Sequence, residues 1–395
     1  MDGIIRDIKK AAMDMSGYLT ETRRYLHARP EISWREAETS KFIESELAGL
    51  GLSNIRRGFG GTGSGVTADL VCSDGPRAAI RADIDALPIT EENESEYRSL
   101  NDGVMHACGH DAHIAALLGA ARILSAMRPR LRGTVRFIFQ PAEEIGDPSG
   151  AKAMIDGGVL EGVAAICGMH VWSFLKSGVV QWRHGPVMAS SDKFTVTFAG
   201  RGGHGAVPQT AVDPVVAAAD FIGALQTIAS REINPTNPAV VTVGKVSAGE
   251  AFNIIPDKAE ILGTLRSFDA ETRRGMEPRI ARIAGGIASA YRCRAETSVQ
   301  YLLPSVVNDP ETTDVLRTVA DEIVGPENVE ESPLQMVSED FSFYQEQIPG
   351  TFFFLGAAPP AGTKYPHHSP MFAIDEGVLP TGAALLAAFA AYANR

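Results

Sequence analysis

The chain has 395 residues, which predicts two domains, because single domains usually span about 100–200 residues. Hydrophobic residues make up 45% and charged residues 21% of the sequence, a composition that excludes long disordered tracts. The net charge of −12 would be repelled by phosphate backbones and anionic lipid, so it argues against a protein that binds nucleic acid or a membrane surface.

The N-terminal segment mixes charged and apolar residues without an apolar core and cleavage site, so we expect no secretory signal. No uninterrupted apolar stretch reaches the roughly 18 residues of a membrane span, and we expect residues 385–393 to form a packed terminal helix. The four cysteines are far apart and form no CxxC pair, which argues against a disulfide scaffold and indicates a reducing, cytoplasmic setting.

The first half of the chain alternates helical and strand-like segments. Helical periodicity covers residues 4–27 and 35–50, and a glycine-rich stretch follows at 58–65. Strand-like runs lie at residues 65–72, 77–82, 134–140 and 163–168, with apolar helices at 113–127 and 151–157 between them. This alternation requires crossover connections and therefore predicts a mostly parallel, buried sheet flanked by helices in an α/β domain.

The pattern changes after residue 186. Strands with one exposed face and long helices follow in the order βαββαβ, at residues 193–199, 214–230, 239–246, 258–265, 272–290 and 293–302. Two helices on a four-stranded antiparallel sheet account for this order, as in ferredoxin-like α+β folds. We therefore predict an inserted domain at 187–304 within a catalytic domain formed by 1–186 and 305–395.

Polar side chains follow three of the predicted strands of the first domain. Asp83 and Asp85 end one strand, Glu143 and Glu144 end another, and His170 follows the third. Because ligands bind where the carboxyl ends of parallel strands face a crevice, three such clusters indicate one shared site.

The segment at 105–113 supplies thiol and imidazole groups for the same site. Cys108 and His110 flank one glycine, which lets the backbone bend so that both side chains reach one metal ion. Thiolate, imidazole and carboxylate together suit zinc, and with less preference manganese, cobalt or nickel. We expect His106, Asp111 and His113 to support the site rather than to bind metal.

Three alternatives stay open on residue types and spacing alone. A lone Cys108 is usually a small core residue, although three nearby histidines favour metal binding. The pair Glu143 and Glu144 is equally typical of solvated loop carboxylates. His367 and His368, held between two prolines, suit either a preorganised ligand or an exposed loop.

Nine motifs follow one another in the order found in the metallopeptidases that include the aminoacylases, hippurate hydrolases and indole-acetyl-amino-acid hydrolases: RADIDALPI, MHACGHDAH, FQPAEE, GMHVW, GRGGHGAVP, FNIIPD, GTLRSF, SEDFSFY and HHSPMF. The sequence resembles this family over nearly its whole length, and MHACGHDAH together with PAEE is highly specific. The resemblance implies a zinc-exopeptidase-like catalytic domain, and it makes the inserted domain a lid through which two copies form a homodimer.

The resemblance also implies roles for individual residues. It predicts two divalent metal ions, zinc or manganese in the first place, with the ligands Cys108 (bridging), His110, Glu144, His170 and His368. Glu143 would be the general base, and His204 would reach the active site of the partner subunit and polarise the scissile carbonyl. Asn253 and Arg266 would position the substrate, with Arg266 suited to a carboxylate.

The sequence therefore predicts hydrolysis of the amide bond of N-acyl-L-amino acids by metal-activated water with Glu143 as base. A dipeptidase or other exopeptidase would use the same metal chemistry on the same kind of bond. A ligand-binding protein with an inactive site is a third possibility, which the complete set of proposed ligands disfavours.

Overall fold

The computed structural model describes residues 3–360 and 364–394. Within them the chain forms ten α-helices, in chain order α1 (Gly3–Asp14), α2 (Ser16–His27), α3 (Ala37–Ala48), α4 (His110–Ala126), α5 (Gly150–Asp156), α6 (Pro214–Leu225), α7 (Ala270–Tyr291), α8 (Pro310–Val324), α9 (Ser342–Gln345) and α10 (Leu379–Ala393).

The same residues contain sixteen strands. In chain order they are β1 (Ser53–Arg57), β2 (Val66–Val71), β3 (Arg77–Asp83), β4 (Thr134–Gln140), β5 (Val163–Trp172), β6 (Val180–Trp182), β7 (Gly185–Met188), β8 (Ser191–Ala199), β9 (Gly203–His204), β10 (Ala239–Ala248), β11 (Ile254–Ile255), β12 (Lys258–Ser267), β13 (Arg294–Leu303), β14 (Val306–Asn308), β15 (Val329–Glu331) and β16 (Gly350–Gly356).

These elements form two compact units. The first comprises Met1–Val187, Val307–Pro333 and Asp340–Arg395, and the second comprises Met188–Val306 and Leu334–Glu339. The sequence prediction placed the inserted domain at 187–304 and did not include residues 334–339.

The first unit is built on an eight-stranded sheet in the order β1-β2-β4-β3-β5-β16-β6-β15. Its centre, β4, β3, β5 and β16, is parallel, whereas β2 pairs antiparallel with β1 and β4. Strand β6 pairs antiparallel with β16 and parallel with β15. Side chains of β3 and β16 are almost all buried, as expected where helices cover both faces of a sheet. The predicted mostly parallel sheet is confirmed.

Helix α10 packs against α1, α4 and α8 and contributes twelve buried residues to the core of this unit. Glu376–Ala393 is long and apolar enough to cross a membrane by composition, but 72% of it is buried inside the protein. The prediction of a packed terminal helix is confirmed.

Three details of the first unit differ from the sequence prediction. The helix expected at 4–27 is two helices, α1 and α2, that meet at Met15, where Ser16 and Gly17 are weak helix formers. Strand β5 continues to Trp172 rather than ending at residue 168. The central strand β16 was not predicted, because its run of buried residues has no periodicity to separate it from a loop or a helix segment.

The second unit contains a four-stranded antiparallel sheet in the order β10-β12-β8-β13. Along the chain its elements run β8-α6-β10-β12-α7-β13, which confirms the predicted βαββαβ order. Side chains alternate along β8, so that Phe194, Val196 and Phe198 are buried in a core that α6 and α7 complete.

Candidate metal centre

The functional side chains predicted for the first unit meet at the carboxyl ends of β3, β4 and β5. Asp83 ends β3, the Glu143–Glu144 pair lies in the turn after β4, and His170 lies near the end of β5. Helix α4 begins at His110, directly after Gly109, whose φ of 91° is left-handed. A Cβ atom at Gly109 would lie 2.5 Å from the Val171 side chain, so only glycine permits this close approach.

Cys108 is the centre of this cluster. Its sulfur lies 3.4 Å from Nε2 of His170. Two groups of ligand atoms, each with all members within 4.8 Å of one another, both contain Cys108: one adds His110 and Glu144, and the other adds His170 and His367. A thiol shared by two such groups has the position of a ligand that bridges two cations. Cys108 also lies outside the hydrophobic core cluster, which disfavours the interpretation as a small core residue.

The hydrogen bonds of His110 and His170 leave one ring nitrogen of each available to a metal ion. His110 Nδ1 donates to the backbone carbonyl oxygen of Asp85 at 2.9 Å, and His170 Nδ1 donates to that of Val171 at 2.7 Å. The lone pair of each ring is then on Nε2, and Nε2 of His110 has no hydrogen-bond partner among the described residues. Metal-binding histidines in proteins are held in the same way by their second nitrogen.

His113 and His367 differ from His110 and His170, because in each of them Nε2 accepts a backbone N–H and so has no lone pair left for a metal ion. His113 Nδ1 donates to Asp83 at 2.6 Å, and its Nε2 accepts the backbone N–H of Val171 at 2.9 Å, so both nitrogens are used. His367 Nε2 accepts the N–H of Ser173 at 3.3 Å, which leaves the proton on Nδ1, 3.7 Å from the Cys108 sulfur. We infer that His367, which the sequence left open as a ligand or a loop residue, donates its N–H to the Cys108 sulfur.

His368 is partly exposed and lies beside Glu144. Its Nε2 lies 3.3 Å from an oxygen of Glu144, and 52% of its side chain is exposed. The structure therefore brings together all five residues that the resemblance implies as ligands, with Glu143 beside them. The assignment of these residues as metal ligands stays a prediction.

The electrostatics of the cluster favour a cation. Burial raises the pKa of the Cys108 thiol well above its usual range, and the neighbouring carboxylates raise it further. Burial alone would lower the pKa of His110, but the carboxylates around it raise it to about 10. Both pKa shifts reflect an excess of negative charge at the donor atoms. Together with the free Nε2 of His110, this charge and the thiol–imidazole–carboxylate donor set fit a divalent transition-metal ion.

Asp111 lies in the first turn of α4 and forms buried contacts with two side chains of α2. Its carboxylate forms an ion pair with Arg23, whose Nε lies 2.8 Å away, and it accepts from His27 Nδ1 at 2.7 Å; all three side chains are buried. His106 is also buried, and burial lowers its pKa to about 4, so the ring is neutral. The contacts of Asp111 agree with the supporting role expected for it. Neither ring nitrogen of His106 has a hydrogen-bond partner among the described residues, and its role stays a prediction.

The predicted substrate-binding residues lie in the second unit. His204 pairs with Ile254 across β9 and β11, and the N–H of Gly205 donates to the Asn253 carbonyl oxygen at 2.9 Å, so His204 and Asn253 are neighbours. Both are exposed. Arg266 lies on β12, where its guanidinium donates to the Leu265 carbonyl oxygen at 3.0 Å and burial lowers its pKa. Their substrate contacts stay predictions.

Comparison with known proteins agrees with this site. The model of peptidase family M20/M25/M40 matches residues 79–392. The chain belongs to this family. It is 42% identical over 369 residues to the N-acetylcysteine deacetylase of Bacillus subtilis, covering 91% of this chain and 93% of that protein. It is 41% identical over 382 residues to the IAA-amino acid hydrolase ILR1-like 4 of Arabidopsis thaliana, covering 95% and 86%.

Among solved structures, the chain is similar to the YXEP protein of Bacillus subtilis, described as a dinuclear metal binding peptidase from the M20 family. That match has a TM-score of 0.85 and 38% sequence identity, and it covers 96% of this chain and 98% of that one. The resemblance stated from the motifs is thereby confirmed. The protein is a hydrolase of the M20 family that acts on amide bonds, and the cluster around Cys108 is its candidate metal site.

The two histidines of the C-terminal loop should differ in their effect on metal content. We expect His368→Ala to lower the metal bound per chain, because it removes an imidazole whose Nε2 lies 3.3 Å from the proposed ligand Glu144. His367→Phe should retain the metal, because Nδ1 of His367 carries a proton. Elemental analysis after dialysis against metal-free buffer measures this. Equal loss in both variants would contradict the tautomer assignment.

Proposed function

We propose that the protein hydrolyses the amide bond of N-acyl-L-amino acids and releases a carboxylic acid and a free amino acid. The observation that carries the proposal is the match at 42% and 41% identity, over more than nine-tenths of this chain, to an N-acetylcysteine deacetylase and an IAA-amino acid hydrolase. The names of both relatives describe an acyl group joined to an amino acid.

Two divalent ions, zinc or manganese, complete the proposed site. The residues proposed to hold them are Cys108, shared by both ions, and His110, Glu144, His170 and His368. When bound, the ions supply Lewis acidity, which makes water a stronger acid near neutral pH and the amide carbonyl a better electrophile.

Glu143 is the proposed general base and acid. The resemblance implies this role for Glu143, which directly precedes the proposed ligand Glu144 in the turn after β4. Glu143 accepts a proton as water attacks the carbonyl carbon, and it returns that proton to the amine nitrogen as the C–N bond breaks. One carboxylate therefore serves both halves of the hydrolysis.

The second unit supplies the proposed substrate contacts. The imidazole of His204 would reach the active site of the partner subunit and donate to the oxygen that gains negative charge, a contact worth about 3 kcal/mol in comparable sites. Asn253 and Arg266 would position the substrate. The planar guanidinium of Arg266 matches the carboxylate of the substrate.

We also propose a reducing, cytoplasmic setting, which the four free cysteines support.

A dipeptidase is the second candidate, because the similar YXEP structure is described as a peptidase. A panel of N-acetyl- and N-benzoyl-amino acids beside dipeptides separates the two. We expect turnover of the N-acyl amino acids in the presence of zinc or manganese, monitored by release of free amine. Cleavage of dipeptides alone would overturn the proposed function in favour of the second candidate.

Replacement of the base tests the mechanism. Glu143→Ala should lower turnover by at least about a hundredfold while metal stays bound, because it removes the proton acceptor and leaves every proposed ligand. Turnover and metal content are measured on the same preparation. Glu94→Ala, which removes an exposed carboxylate of the same unit, is the control and should behave as the wild type. Unchanged turnover in Glu143→Ala would mean that another group is the base.

We further propose a homodimer formed through the second unit. Strand β10 is an edge of its sheet, and Val246 on it is 50% exposed; an unpaired edge with apolar side chains is a typical association surface. We expect the wild type to be dimeric by light scattering and Val246→Lys to shift it towards monomer. Val71→Lys, at a valine of the first unit that is 44% exposed, should leave the dimer intact. A monomeric wild type would refute the dimer.

A further inference from the structure

The turn that carries Glu143 and Glu144 has an unfavourable backbone conformation. Ala142, directly before Glu143, has a φ of 51°. Residues with a Cβ atom adopt this left-handed region at a cost of roughly 1 kcal/mol, so neighbouring contacts must stabilise it. The Ala142 carbonyl oxygen accepts the N–H of Gly150 at 3.2 Å, and its own N–H donates to a carboxylate oxygen of Glu36 at 2.8 Å.

Glu36 comes from a distant part of the chain. It precedes α3, is 0% exposed, and is separated from Ala142 by 106 residues. A buried carboxyl group is costly unless its hydrogen bonds compensate, and an apolar side chain would pack there at lower cost. The bond from the Ala142 N–H accounts for a side-chain oxygen at this position, while Oε2 of Glu36 has no hydrogen-bond partner among the described residues.

Ser33 holds a second point of the same turn through Asp85. The Ser33 hydroxyl donates to Oδ2 of Asp85 at 2.7 Å, and that same oxygen accepts the backbone N–H of Glu144 at 3.0 Å. The other oxygen of Asp85 lies 3.2 Å from Nδ1 of His110. Ser33 therefore fixes the carboxylate that orients both the Glu144 backbone and the His110 ring.

Trp34 holds the far end of the turn. Its indole Nε1–H donates to the Pro148 carbonyl oxygen at 3.1 Å. Its ring packs on Gly60, where a Cβ atom would lie 2.7 Å from the ring. The segment 33–36 thus contacts the segment 142–148 directly at both ends and, through Asp85, in the middle.

We propose that residues 33–36 form a positioning strap for the metal centre, in which Glu36 sets the orientation of Glu143 and Ser33 sets that of Glu144. Neither strap residue touches the substrate. The effect on turnover rests on the proposed function, whereas the effect on metal binding does not, because it is measured without any substrate.

Variants of Glu36 test the first half of the proposal. Glu36→Ala should lower kcat at least about tenfold with KM changed less than about threefold, because a base displaced by about 1 Å loses rate rather than binding. Glu36→Gln keeps the oxygen that accepts the Ala142 N–H and should recover kcat to within about threefold of the wild type. Glu38→Ala, which removes an exposed carboxylate two residues away, is the matched control and should be unchanged.

Ser33→Ala tests the second half. We expect its affinity for zinc, measured by competition with a chelator, to fall about tenfold, as for other groups that orient metal ligands. Thr62→Ala, which removes a hydroxyl that hydrogen-bonds to Phe59 and Ser64 in its own turn, should retain zinc as the wild type does.

The outcomes separate this proposal from the proposed function. A folded Glu36→Ala with wild-type kcat, or a Glu36→Gln as impaired as Glu36→Ala, would overturn the role of Glu36, and wild-type zinc affinity in Ser33→Ala would overturn that of Ser33. If Glu36→Ala does not fold, a Glu36→Gln with tenfold lower kcat still overturns the role of Glu36. A wild type that cleaves no N-acyl amino acid would refute the proposed function alone, since kcat ratios are then taken on the amide that it does cleave and zinc affinity is unaffected.

Discussion

The first unit buries the carboxylates of Asp83, Asp85 and Asp111 near the carboxyl ends of its strands. The positions of the neighbouring arginines and histidines follow from the need to compensate this negative charge. A carboxylate removed from water is stable only when it is paired or well hydrogen-bonded. Two buried arginines meet this need at a distance from the donor atoms, Arg23 beside Asp111 and Arg81 beside Asp83. Around Cys108 the neighbouring carboxylates raise the pKa of the thiol and of His110, and the negative charge that remains there would stabilise a bound cation.

Backbone groups, rather than side chains, decide which histidine nitrogen is free. Carbonyl oxygens of Asp85 and Val171 take the Nδ1 protons of His110 and His170, while N–H groups of Val171 and Ser173 take lone pairs of His113 and His367. Because the ends of β3 and β5 hold these backbone groups in fixed positions, the sheet itself sorts four neighbouring imidazoles into two that can bind metal and two that cannot.

This explains which features could be predicted from the sequence. Cys108 and His110 are close in the chain, and apolar runs located β3, β4 and most of β5, so the core of the cluster was accessible to motif and periodicity arguments. The tautomer of His367 depends on Ser173, which is 194 residues away in sequence, and the contact of Glu36 with Ala142 spans 106. Such contacts leave no spacing pattern, and β16 has no periodicity either, so sequence reasoning missed all three.

The proposed base, Glu143, and the proposed metal ligand, Glu144, are neighbours in the chain, and this constrains the backbone between β4 and the turn. In an extended strand the side chains of Glu143 and Glu144 would point to opposite faces, so both reach one site only if the backbone leaves the strand conformation directly after β4. The left-handed Ala142 provides that change of direction at an energetic cost. Rigidity in the turn must then come from outside it, since the turn itself has few regular backbone bonds. Side chains between α2 and α3 provide this rigidity, so the positioning residue Glu36 lies 106 residues before Ala142, the residue that it holds.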